Sequence, residues 1–151
     1  MALKQRIESD LKTALLNKDR FTTEVLRGLK AVILNEEIAL GKRDEGLDNS
    51  AIEQLIVKEI KKRHDSVALY EQGGRQELAD SEQKEAEFLR GYIPKQLTEA
   101  ELTDIIKQAI VKLDAHDGAR SIGQVIGMVK KQVSSQADGA TIARIVQQVL
   151  K

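Results

Sequence analysis

Apolar residues return every three or four positions along nearly the whole chain, and a single proline interrupts them. That spacing lines them up on one side of an α-helix. A chain so patterned folds by burying helix stripes against one another. Leu3, Ile7, Leu11, Ala14 and Leu15 form the first stripe; Phe21, Val25, Leu26, Leu29, Val32 and Ile33 form the second. Gly41 ends the second helix, and the polar stretch 41–49 reads as a loop. Ser50 and Glu53 have the spacing of a capping box opening a third helix, with Ile52, Leu55, Ile56, Ile60, Val67 and Tyr70 in line. Gly73-Gly74 turns the chain into a fourth helix over about 75–90, with Leu78, Phe88, Leu89 and Tyr92 aligned.

Pro94 forces the residue before it towards an extended conformation and marks a boundary. Three shorter helices are expected beyond it. Thr98 and Glu101 form a capping box before the stripe Leu102, Ile105, Ile106, Ala109, Ile110 and Leu113. Ser121 and Gln124 suggest another box, and Asp138 caps the last helix. The expected fold is all-α, with a four-helix bundle-like domain over residues 1–93 and a small three-helix domain over 94–151.

Composition then removes whole classes of chemistry. Lys plus Arg and Asp plus Glu number 24 each, so the chain is not a strongly basic nucleic-acid glove. There is no cysteine, which excludes disulfides, thiolate-held metals and thiol catalysis. His64 and His116 lie far apart, so no metal site and no cofactor are expected. No serine sits in a nucleophile elbow, and no nucleophile, base and orienter fall together, so no catalytic residue is assigned. No apolar run is long enough to span a bilayer. The opening residues 1–6 lack the apolar core of an export signal, and with cysteine absent a cytoplasmic location is expected.

A few charged and small residues sit where the pattern does not need them. Arg63 projects into the middle of the third stripe and Glu85 into the middle of the fourth. Folding back at Gly73-Gly74 brings them opposite, so an interhelical Arg63–Glu85 ion pair is expected, fixing register in preference to forming an open polar site. Glu36 lies likewise on the second stripe and is a further candidate for this network. Lys58, Lys61 and Lys62 make a basic side on the third helix, an ordinary solvated face or a contact for RNA phosphates. Arg120, Lys130 and Lys131 are the alternative RNA contacts. The second helix carries another apolar strip, Ala31, Leu34 and Ile38 with Arg27 above it, suited to intramolecular packing or to a protein partner. Gly123 and Gly127 do not fit a phosphate loop; their spacing favours close helix approach. His116 reads as a surface loop residue.

Several segments together resemble the YqeY-like family: Lys58 to Arg63, Tyr70 to Ala79, Glu82 to Glu87, Tyr92-Ile93-Pro94-Lys95-Gln96-Leu97, Gly123 to Gly127 and Ala137-Asp138-Gly139. That family is related to the tail of the GatB subunit of the tRNA-dependent amidotransferase. The resemblance implies a two-part helical architecture and a link to tRNA-dependent amide transfer. There the tail helps hold tRNA, while ammonia release and phosphoryl chemistry belong to other domains. It also implies an inherited label of carbon–nitrogen ligase with glutamine as amido-N-donor. The expected function is therefore a non-catalytic, tRNA-associated accessory module. The alternative is a protein-interaction adaptor or homo-oligomer with no RNA role; a third possibility is an amide-transfer enzyme. Neither a membrane nor a metal is expected among its partners.

Overall fold

Each helix starts and stops where local chemistry dictates. The computed structural model describes residues 2–116 and 118–151, and among them it is all-α. The helices are α1 (Leu3–Leu16), α2 (Arg20–Ala39), α3 (Asn49–Gln72), α4 (Gln76–Arg90), α5 (Glu99–Leu113), α6 (Ala119–Val133) and α7 (Gly139–Val149), with a 3-10 turn at Ser134–Gln136. Asp19 caps α2 and Asp138 caps α7, each accepting from a backbone N–H three residues on. Thr98 and Glu101 close the reciprocal box at the start of α5.

Two expected boxes take another form. Asp48, not Ser50, caps α3, its carboxylate accepting from the Ala51 N–H at 2.8 Å. The tertiary structure explains the choice: the Asn49 side chain accepts from the Leu3 N–H at 2.9 Å, pinning the start of α3 against α1. On α6 the cap is Gly118, without a side-chain bond, and Ser121 lies inside the first turn.

The described residues form two compact units, one ending at Ile93 and the other starting at Pro94. In the first, α1 packs along α2 and α3 along α4. One core joins them, with Ile7, Leu26, Leu29, Ile33, Ile52, Ile56 and Leu89 at its centre. Phe21, Phe88 and Tyr92 meet edge to face, with centroids 5.9 Å apart at each step. This core ends near Ile60. Beyond it the α3–α4 hairpin buries Ala79 but leaves Leu69 and Leu78 exposed, so Leu78 is not the core residue its stripe position suggested. Gly74, at φ +71, supplies the left-handed turn. The second unit packs α5, α6 and α7 around Leu102, Ile106, Val125, Val129, Ile142 and Val146.

Candidate nucleic-acid and partner surfaces

The first unit draws several of its charges into paired sets, although Arg63 Nε is buried with no hydrogen-bond partner among the described residues. Arg63 Nη1 donates to Glu85 and, at 3.2 Å, to Glu82, across the α3–α4 hairpin one turn beyond the main core. The residues are about one-quarter exposed or less, which leaves a charge stranded there costly. Glu36 is half-buried outside this set. The buried acid of α2 is its neighbour Glu37, only 2% exposed, four residues from the core residue Ile33 and on the same face. Lys4 Nζ donates to Glu37 Oε2 at 2.8 Å, and the Leu47 N–H donates to the same oxygen at 3.1 Å. The Lys4 bond, opposed by burial, holds the Glu37 carboxyl below its ordinary value. Gly46, at φ +77, turns the loop over this pair. A Cβ there would meet Glu37 Oε2 at 3.3 Å and Lys4 Nζ at 3.4 Å.

Tyr92 completes a third set. Its hydroxyl donates to Asp10, and the Arg6 guanidinium lies 4.6 Å from its ring centroid. Burial, then the Asp10 bond, push the Tyr92 phenol above its ordinary value. Near the end of the same core, Arg90 Nη2 donates to His64 Nε2 at 2.8 Å, because a guanidinium has only donors to offer. The acids of these sets are taken up by Arg, Lys or Tyr partners. Such an arrangement locks helices together and leaves no carboxylate pair poised for proton transfer. Among the described residues, no cluster of His, Cys, Asp or Glu could hold a metal ion. No described helix is long and apolar enough to cross a membrane.

The two basic candidates differ in surroundings. Lys58, Lys61 and Lys62 are exposed on α3, but acids interleave with them: Glu59 pairs with Lys62 at 3.4 Å, and Asp65 follows. On α6, Arg120, Lys130 and Lys131 are exposed, and the helix contains no Asp or Glu. Gly123 and Gly127 share that outward side. A Cβ built on either meets nothing within 4 Å, so the glycines do not serve close helix approach within this chain, as their spacing had suggested. The spacing is right for such contact, but Val125, Val129 and Val133 face the core instead. An open groove of about 810 Å³ runs beside them, bordered by Leu113, Gln124, Met128, Lys130 and Lys131. His116 is exposed; its neighbour at position 117 lies outside the described residues.

On α2, Arg27, Ala31, Leu34 and Ile38 are all exposed. Beside them α1 and α2 enclose a pocket of about 250 Å³ lined by Lys4, Ile7, Lys30, Ala31, Ile33 and Leu34 among others.

A family model described as Yqey-like protein matches residues 4–150. The chain belongs to the Yqey-like protein family. Relatives of this family member include three proteins named "Altered inheritance of mitochondria protein 41, mitochondrial". The one from Pyrenophora tritici-repentis is 30% identical, with the match covering 96% of this chain and 79% of the relative. The one from Clavispora lusitaniae is 24% identical over 89% of this chain and 78% of the relative. The one from Kluyveromyces lactis is 30% identical over 82% of this chain and 66% of the relative. These relatives are named as mitochondrial proteins, which contradicts the expected cytoplasmic location. The expectation failed because the absence of cysteine says nothing about organelle residence.

Proposed function

We propose that this Yqey-like protein is a non-catalytic accessory module that engages tRNA through the outward face of α6. The observation carrying the reading is that face itself. Arg120, Lys130 and Lys131 flank two open glycines on a helix with no acid of its own. Bare backbone lets a sugar–phosphate chain come close, and the flanking cations neutralise phosphates on either side. The α6 sequence supplies no aromatic ring for stacking on bases, so recognition by shape and phosphate fits better than base reading. The resemblance to the amidotransferase tail supplies tRNA as the RNA in question. In this reading the chain positions tRNA, and other proteins carry out glutamine-dependent carbon–nitrogen bond formation.

The test is binding of the purified chain to tRNA at several salt concentrations, with an unrelated structured RNA as competitor. Tight, salt-sensitive binding that prefers tRNA is the expected result. No binding at low salt, or turnover of glutamine by the chain alone with tRNA and ATP supplied, overturns the reading.

A further inference from the structure

We propose a second, separate surface: the outer face of α2 is a docking groove for an acidic amphipathic helix of a partner protein. The face divides along its length. Arg20, Arg27 and Lys30, with the exposed Glu24 among them, occupy its mainly basic first half, and Ala31, Leu34 and Ile38 its second, at the three-, four- and seven-residue spacings by which one helix anchors another. Leu34 is 40% exposed and Ile38 55%, with Leu40 at 54% just beyond the helix end. Leu34 also lines the 250 Å³ pocket, together with Ile7, Ile33 and Lys30. That volume takes one or two apolar side chains and is small for a cofactor.

Charge decides the occupant. Glu8 is the exposed acid lining the pocket on α1, while Glu37, which also lines it, is already held by Lys4 and the Leu47 N–H. The outer face of α2 therefore offers apolar anchor sites beside a basic half, the complement of a helix with leucines on one side and carboxylates next to them. Nucleic acid would use the cations but gain nothing from Leu34 and Ile38. A second copy of this chain would bring the same mainly basic face, without the run of carboxylates that these cations match.

The probe is a fluorescent synthetic helix with leucines at positions i, i+4 and i+7 flanked by glutamates, titrated with the full chain. A control peptide carries lysine in place of each glutamate. The acidic peptide binds and the basic one does not. Leu34→Asp and Ile38→Asp each weaken binding by about tenfold or more, the loss expected of a central anchor. Ile38 is more than half exposed, so its variant keeps the test sound should Leu34→Asp disturb folding. Arg27→Glu with Lys30→Glu turns the preference towards the basic peptide. The proposal is overturned if neither peptide binds, if both bind alike, or if the aspartate variants bind as the parent does. It also fails if sedimentation shows a dimer that Leu34→Asp dissolves, or if tRNA displaces the acidic peptide competitively. None of these outcomes except the last bears on the α6 reading, so the two proposals fail separately.

Discussion

The two units solve the same packing problem with different materials. The first threads charges through its interior: Lys4 with Glu37, Arg63 with Glu82 and Glu85, Asp10 with Tyr92. The second builds its core from Leu, Ile, Val and Ala, with Ser135 its buried polar residue among those described. Its polar bonds lie largely at caps and turns, as where the Gln96 side chain donates to the Ser135 carbonyl and the Leu97 N–H to that of Gln136. Interior ion pairs add little net stability but penalise wrong registers, which matters for long helices that could slide by a turn. The difference bears on the proposed function. In the first unit Lys4, Lys62 and Arg63 are paired with acids, whereas α6 in the second presents cations with no acid on the same helix.

The contrast can be broken from either side. The largest effect is expected from Ile106→Ala, since Ile106 is fully buried in the smaller, aliphatic core. It should cost about 2–5 kcal/mol, a large share of what a small unit has to lose. Hydrogen exchange should show α5, α6 and α7 losing protection; unchanged protection there would displace Ile106 from the core. Next comes Arg63→Met, which strands Glu82 and Glu85 together and should cost roughly 1–3 kcal/mol in urea unfolding. Adding Glu82→Gln and Glu85→Gln should recover most of that loss. A smaller effect, about 1 kcal/mol at neutral pH, is expected from Glu37→Gln. Its pH dependence has a definite sign. The folded state lowers the Glu37 carboxyl below its ordinary 4.5. Its contribution is therefore fully present above that value and fades as pH falls through the lower folded one. The gap between parent and variant should narrow towards acid pH; a constant gap would contradict the Lys4 pairing. The smallest change is expected from Thr98→Ala, which removes one cap of α5 and should lower the melting temperature only slightly.

Much of this was legible in the sequence, and the failures share a cause. Stripes gave the helices, and Thr98 and Asp138 could be read as caps because each stands directly before a clean stripe. Asp48 and Ser50 were two competent caps two residues apart, and the Asn49–Leu3 bond across the fold chose between them. Glu36 was read onto the second stripe and into the Arg63–Glu85 network, but it is half-buried outside that set. The loop at Gly46-Leu47, closing from outside α2, is what makes Glu37 the buried acid. Likewise, spacing alone could not tell whether Gly123 and Gly127 would be covered. In each case a distant segment made the decision, and periodicity sees only near neighbours.

The central claim is that the charged face that matters is on α6. It is tested most directly by salt titration of tRNA binding for three forms of the chain. These are the parent, a variant with Arg120, Lys130 and Lys131 changed to Gln, and one with Lys58, Lys61 and Lys62 changed to Gln. The α6 variant should bind more weakly, its log–log salt slope flattening by about one unit per cation removed, while the α3 variant stays close to the parent. A parent-like slope in the α6 variant, with binding lost in the α3 variant, would contradict the account.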